Sequence, residues 1–177
     1  ALTEDDQSIL AQSERAFDEI GGLLAAVKLR DALQAAMALV RDANAYLDRR
    51  EPWKRIKEDP ADAARSVYTI LRVIDNLKIL LAPYLPFSAQ ALHEYLGYDG
   101  QLFGDLKIET FDESERAHQA LVYDGADAIG RWQISALVPG QSLREPKPLF
   151  IKLDPEIVEQ ERSLLGAPRD ERAIEIG

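Results

Sequence analysis

The stretch Glu51-Pro52-Trp53-Lys54-Arg55-Ile56-Lys57 holds residue types that together suit one chemistry. Pro52 ends a helix and presents Trp53 from a rigid turn, with the cations Lys54, Arg55 and Lys57 around the indole. Just upstream, Arg41, Asn44 and Asp48 fall within about 60° of one another at ~100° per residue, one polar face on the edge of a Val40–Leu47 apolar stripe. A ring that stacks, polar groups that test base edges and cations that hold phosphate are what reading unstacked bases requires. A structural reading stands beside this one. A tryptophan after a helix commonly plugs a core gap, and Asn44 on an apolar stripe reads equally well as a satisfied buried amide.

Catalytic constellations are scarce. The sequence contains no phosphate-binding G-x-x-x-x-G-K-[ST] loop, no G-x-G-x-x-G, no G-x-S-x-G and no H-E-x-x-H. With no cysteine, disulfide scaffolds, thiolate metal sites and thiol nucleophiles are excluded. Two histidines, His93 and His118, leave little for a metal centre; His93, off the apolar stripe, is expected at the surface. The acids Asp5-Asp6 and Asp112-Glu113-Glu115 read as solvated surface groups rather than paired catalytic carboxylates.

The elements that would position the Trp53 segment are helical. Thr3 followed by Asp6 predicts a helix start, with Leu10, Phe17, Ile20 and Leu24 at helical spacing and Gly21-Gly22 to end or bend it. From about Leu23 to Arg50 the stripe Leu29, Leu33, Met37, Val40, Leu47 predicts a long helix free of Gly and Pro. Asp59-Pro60 caps a third, with Val67, Ile70, Ile74, Leu77 and Leu81 inward and Pro83 as its stop. Pro86 opens a shorter fourth carrying Leu92, Tyr95 and Leu96, terminated at Gly97. Short connections between them imply an all-α antiparallel bundle.

From Tyr98 to Phe150 five glycines, with Gly97 just before them, break any period, which predicts an irregular wrap, with a short helix at Asp112–Leu121 and with Trp132, Ile134, Leu137 and Val138 docking on the bundle. Asp154-Pro155-Glu156 opens a last helix stopped at Gly166, and Arg169–Gly177 reads as a frayed tail. The expected organisation is therefore a bundle core at 1–97, a wrap at 98–153, and a C-terminal helix and tail at 154–177.

The charge balance tests the nucleic-acid reading. Net charge is −10 over 177 residues, with a pI near 4.7, which argues against a domain that coats duplex DNA. The segment Lys28–Lys57 departs from the average: eight basic residues face four acids, leaving −14 for the remainder. No apolar run reaches the ~18–20 residues of a membrane span, and the N-terminus lacks the pattern of a secretory signal. The start at Ala1, without an initiator methionine, reads as a chain from which something upstream was removed.

At these residues the sequence resembles a known family. Ala43-Asn44-Ala45-Tyr46-Leu47-Asp48, then Pro52-Trp53 and Lys57, is similar to the anticodon-binding helical domain of methionyl-tRNA synthetases, which are class I aminoacyl-tRNA synthetases. Asp75-Asn76-Leu77-Lys78, Leu81-Ala82-Pro83-Tyr84-Leu85-Pro86-Phe87-Ser88 and Leu92-His93-Glu94-Tyr95-Leu96-Gly97 resemble its next two helices. Pro139-Gly140 and Glu145-Pro146-Lys147-Pro148-Leu149-Phe150-Ile151-Lys152-Leu153-Asp154 resemble the segment leading into its last helix.

The resemblance implies recognition of the CAU anticodon loop of methionine tRNA, with Trp53 stacking beside Pro52 and with Asn44 and Asp48 in the same pocket; the spacing and charge of the residues themselves add Arg41 and Lys57 to the site. It also implies the catalytic domain of the intact enzyme as a partner, a cytoplasmic setting, and no membrane or DNA partner.

Two departures accompany the resemblance. The family's H-x-G-H and K-M-S-K-S are absent, so ATP and methionine, the substrates of the catalytic half, are not expected to bind here, and the chain alone should be inactive. The family's preceding helix, where an Asn-Leu pair followed by Arg contacts the anticodon, has no counterpart before Thr3. The rival from another class is a helical protein–protein module in which Trp53, Trp132 and exposed apolar stripes are docking anchors. An independent small enzyme is disfavoured by the missing motifs.

Overall fold

Thr3 begins the first helix as its sequence demands. Its Oγ1 accepts from the Asp6 N–H at 3.2 Å while Asp6 Oδ2 accepts from the Thr3 N–H at 2.8 Å, a reciprocal capping box. In this computed structural model, which describes residues 1–113, 116–150 and 152–165, four long helices and a single turn follow in order. They are α1 (Glu4–Ala25), α2 (Leu29–Arg50), the one-turn α3 (Pro52–Arg55), α4 (Pro60–Leu80) and α5 (Pro86–Tyr95). Asp59 caps α4 by accepting from the Asp62 N–H at 3.0 Å, with Pro60 at the first helical position. Helix α1 packs on α2 and α4, and α5 on α4.

The core joins Ile9, Leu10, Phe17 and Ile20 of α1 to Ile70, Val73, Leu77 and Leu80 of α4. Each large aliphatic side chain fully buried there contributes roughly 1.5–3 kcal/mol. Helix α2 enters with Ala32, Ala36, Leu39, Ala43 and Tyr46. This differs by one residue in phase from the leucine-rich stripe: Leu33, Val40 and Leu47 lie at the rim, and Leu29 and Met37 are exposed. Small residues let the helix axes approach, so the alanines occupy the seam and the bulkier side chains flank it.

Gly21-Gly22 do not end α1; the break comes at Ala26–Lys28, where Val27 adopts a left-handed φ of 59°. Gly21 serves another purpose: a Cβ there would stand 3.1 Å from Trp132 Nε1. Gly97, by contrast, does terminate α5 as expected. Its φ is +83°, and a Cβ would fall 2.0 Å from the Ser142 carbonyl oxygen.

The molecule is not purely α. Strands β1 (Asp105–Asp112) and β2 (Ala117–Asp124) form an antiparallel hairpin with Leu106 opposite Tyr123 and Ile108 opposite Leu121. The hairpin replaces the short helix expected at Asp112–Leu121. Cross-strand pairing satisfies backbone groups that the glycine-rich surroundings leave no helix to satisfy. Residues 125–146 then run irregularly over the bundle. Trp132 packs edge-on against Phe17 and Leu137 is buried, whereas Ile134 and Val138 stay exposed.

Two polar residues expected at the surface are interior. His93 is buried, stacked on Tyr98 with ring centroids 5.0 Å apart, and its Nδ1 faces Lys78 Nζ at 3.3 Å. Lys78 pairs with Asp75 at 2.6 Å, and Asp75 also accepts from the Tyr98 and Ser135 hydroxyls at 2.9 and 2.6 Å. Isolated, none of these polar groups would be tolerated inside; linked, they fasten the irregular segment to α4. Asp6 is likewise fully buried, while its neighbour Asp5 stays near the surface and pairs with Arg49.

The chain divides into two compact units, Ala1–Pro146 and Lys147–Gly177. In the second, α6 (Pro155–Leu164) starts where Asp154-Pro155 predicts, its Asp154 carboxylate accepting from the Glu156 N–H at 3.2 Å. The stop at Gly166 and the tail 169–177 lie outside the described residues, as do Ile151 of the Pro-Leu-Phe segment and Glu115 of the acidic cluster. Among the described residues no helix is long and apolar enough to cross a membrane.

Candidate nucleic-acid interface

Helix α2 has to stop at Glu51, because the proline that follows has no N–H to donate and disfavours a helical residue ahead of it. Glu51 takes a left-handed φ of 42°, held by its N–H to Leu47 O at 2.8 Å and by the ion pair of its carboxylate with Lys54 Nζ at 2.5 Å. Pro52 is then well placed as the first residue of α3 and is buried. The next side chain, Trp53, is turned outward and is 56% exposed. A tryptophan plugging a core gap would be enclosed, so the structural alternative raised by the sequence does not describe this indole.

Beneath Trp53 a chain of ion pairs ties four elements together. Arg50 donates to Asp62 Oδ1 at 2.5 Å and to Ser66 Oγ at 3.1 Å. Arg55 donates through Nε to the Arg50 carbonyl at 3.0 Å and faces Asp62 Oδ2 at 3.5 Å. Arg65 bonds both Asp62 and Asp6, and Asp6 Oδ1 accepts from the Tyr46 hydroxyl at 2.7 Å. Through these contacts the start of α1, the end of α2, α3 and the start of α4 form one corner. Burial favours the neutral form of Asp6, yet hydrogen bonds from Thr3 and Tyr46 and the charge of Arg50 outweigh it and hold the carboxyl below its ordinary 3.8.

The remaining residues of the set are exposed on α2 and after α3. Arg41, Asn44 and Asp48 are all exposed and share the outward face that their spacing predicts. Asn44 is therefore not a buried amide. Asp48 stands in the last turn of α2, next to the corner, whereas Arg41 lies nine residues before Arg50, about 13 Å along the axis at ~1.5 Å per residue. Lys57 is exposed just beyond α3.

Of the nearby cations, Arg49, Arg50, Lys54, Arg55 and Arg65 are engaged by carboxylates. Among the described residues Arg41 and Lys57 form no ion pair, which leaves them available to an external anion. An exposed ring at a fixed corner, with uncommitted cations and acids nearby, can stack on a flat heterocycle and hold phosphate while rejecting a poorly placed one.

Asp62, Arg65, Asp6 and Tyr46 fix the corner, a role the sequence does not assign them: Asp6 reads there as a helix-start and surface acid, and Tyr46 appears only within the Ala43–Asp48 stretch. The three-residue spacing of Asp62 and Arg65 was a local signal for one pair; the links reaching Asp6 and Arg50 are long-range and left none.

Residues 1–124 match the family described as the anticodon binding domain of methionyl tRNA ligase. The chain is 45% identical over 161 residues to the methionine–tRNA ligase of Chloroflexus aurantiacus, a match covering 90% of this chain and 27% of that protein. To the methionine–tRNA ligase of Thermomicrobium roseum it is 45% identical over 169 residues, covering 94% of this chain and 29% of the relative. The chain thus spans little more than a quarter of the curated relatives it matches. It also shares its fold with the free form of Mycobacterium tuberculosis methionyl-tRNA synthetase, with a TM-score of 0.63 at 24% identity over 88% of this chain and 27% of that one.

Proposed function

The chain belongs to the family of anticodon-binding domains of methionyl-tRNA ligases, and from that premise we propose that it reads the CAU anticodon loop of methionine tRNA on behalf of a larger enzyme. In this reading Trp53 stacks on an unpaired anticodon base beside Pro52, Asn44 and Asp48 test base edges, and Lys57 and Arg41 hold backbone phosphates. ATP and methionine belong to the part of the enzyme outside this chain.

The observation that carries the reading is the outward-facing indole of Trp53 on a corner braced by Asp62 and Asp6. An exposed ring normally loses freedom when it stacks; one mounted on a braced turn has less to lose, so more of the stacking energy appears as affinity. Asp48 contributes selectivity at a cost in affinity, since an acid repels phosphate but accepts from a base amino group.

The test is a titration of fluorescent stem-loops carrying CAU or a scrambled triplet, with affinity read from the anisotropy of the stem-loop fluorophore and stacking in the parent from quenching of tryptophan emission. Trp53→Ala should cost about 1–3 kcal/mol of CAU binding, the scale of one base–aromatic stack. Unchanged affinity in a variant that melts like the parent would rule out stacking at this position.

A further inference from the structure

One cation of the Trp53 corner is held far more loosely than its neighbours. Asp62 divides its two oxygens unequally: Oδ1 accepts from Arg50 at 2.5 Å and also from Arg65, whereas Oδ2 is buried and accepts no hydrogen bond. Oδ2 faces Arg55 Nη1 at 3.5 Å, a contact of charge alone. Three guanidiniums, Arg50, Arg55 and Arg65, thus share two paired carboxylates, Asp62 and Asp6. The neighbouring Asp59 carboxylate is occupied in capping α4.

Arg55 is nevertheless aimed. Its Nε–H donates to the Arg50 carbonyl at 3.0 Å, one of the carbonyls that the end of α2 leaves without a helical donor. That bond uses one of the five N–H groups of the guanidinium; among the described residues the four on Nη1 and Nη2 make no hydrogen bond. The side chain is 48% exposed, against 15% for Arg50 and 27% for Arg65. A planar pair of donors matches two oxygens of a phosphate, so exchanging the 3.5 Å contact with Asp62 for two charge-assisted hydrogen bonds is a gain. Arg50 and Arg65 stay on Asp62 when Arg55 leaves it, and the buried carboxylate is never without a partner. Arg55 also follows Trp53 by two residues on the single turn of α3, so a strand whose base stacks on the indole runs its backbone past the same turn.

We propose that Arg55 is a phosphodiester-binding residue: Nη1 and Nη2 take the two free oxygens of one phosphate in the RNA loop, Nε stays on the Arg50 carbonyl, and Asp62 is the internal anion that the phosphate replaces. The inference rests on the RNA reading of the Trp53 corner. It differs from the part given to Lys57 and Arg41, which among the described residues have no carboxylate to exchange. Asp62 makes this site demanding, since only an anion that fills both Nη groups improves on the contact already present.

The test titrates the full-length protein, as parent, Arg55→Ala and Arg55→Lys, with CAU stem-loops in which one loop phosphodiester at a time is replaced by an uncharged methylphosphonate. One linkage should cost the parent about tenfold in affinity, the scale of a hydrogen bond to a charged group, and cost Arg55→Ala less than about twofold. Arg55→Lys keeps the charge without the fork, so it should keep the salt slope of the parent and bind at least about threefold more weakly. Unchanged affinity in Arg55→Ala, or parent-like binding by Arg55→Lys, overturns the proposal. Losses that simply add at every linkage overturn it too, and with a lowered melting temperature they would leave Arg55 a brace of the corner. A scrambled triplet keeps the two ideas apart. Coupling at one linkage without preference for CAU sinks the CAU reading alone, CAU preference without coupling sinks the phosphate site alone, and a parent that binds neither stem-loop sinks both.

Discussion

The indole of Trp132 lies against Gly21 near the C-terminal end of α1, its Nε1–H donating to the Phe17 carbonyl at 3.2 Å and its ring meeting Phe17 edge-on at 5.4 Å. One residue later, Gly22 faces open space. Two adjacent glycines in the same helix therefore stand in opposite situations, and substitution separates them.

Gly22→Ala should stabilise the protein by about 0.5–1 kcal/mol, the usual gain for replacing an exposed helical glycine. Gly21→Ala carries the same propensity gain, but its Cβ would press on Trp132 at 3.1 Å. Its net effect should be less than half that of Gly22→Ala, and tryptophan emission should shift as the ring moves. Urea unfolding of the two variants side by side measures the difference; equal gains would show that Trp132 yields freely.

The pair also marks what a sequence makes legible. Capping residues act within one turn, so Thr3 with Asp6, Asp59-Pro60 and Asp154-Pro155 located three helix starts correctly. Gly21 was read as a terminator because its packing partner lies more than a hundred residues away. The phase of α2 was missed for a related reason: hydrophobicity favours Leu29 and Met37 over Ala32 and Ala36, whereas the seam favours what is small. The hairpin went unseen although Leu106 and Ile108 alternate, since glycines on both sides obscured a run of only eight residues. At the candidate site, the outward face of Arg41, Asn44 and Asp48 was visible in the spacing; the ion pairs bracing Trp53 were not, because they join residues up to 59 positions apart.

The buried Asp75–Lys78 pair should not tolerate loss of one partner. Lys78→Met leaves a carboxylate in the interior with only the Tyr98 and Ser135 hydroxyls for support, which predicts a loss of roughly 3–5 kcal/mol. Denaturant melts of Lys78→Met against the parent provide the number. A loss under 1 kcal/mol would mean that water reaches Asp75.

His93 predicts a pH dependence. Burial holds its imidazole below the ordinary 6.5; the hydrogen bond to the Asp99 carbonyl works against this, and the Lys78 charge works with it. The unfolded chain therefore binds the proton more readily, so the contribution of His93 is fully present above about pH 6.5 and is lost as pH falls toward the lowered folded value. Unfolding midpoints should drop between pH 7.5 and 5.5, and His93→Gln should flatten that drop. An unchanged slope in the variant would assign the effect to other groups.

At the Trp53 corner, Tyr46→Phe deprives the fully buried Asp6 of a donor and should cost about 1.5–3 kcal/mol, the range for hydrogen bonds to a charged group. The lowered pKa of Asp6 gives the direction with acid: its contribution is present above pH 3.8 and disappears as the pH falls below that. Acid unfolding of Asp6→Asn should show a shallower transition than the parent. Identical acid curves would place the responsible carboxylates elsewhere.

Lys57 and Asn44 separate affinity from choice in the proposed RNA reading. Lys57 is exposed and, among the described residues, makes no ion pair, so its role is that of a free cation near phosphate. Lys57→Ala should weaken CAU and scrambled stem-loops alike and lower the salt slope of binding by about one unit. Asn44 carries an amide able to donate and accept at a base edge, so Asn44→Ala should reduce the preference for CAU while leaving the salt slope unchanged. The opposite pattern, selective loss for Lys57→Ala or uniform loss with a changed salt slope for Asn44→Ala, would exchange the two roles. Since both side chains are exposed, neither substitution should move the melting temperature, and the binding comparison stays free of folding effects.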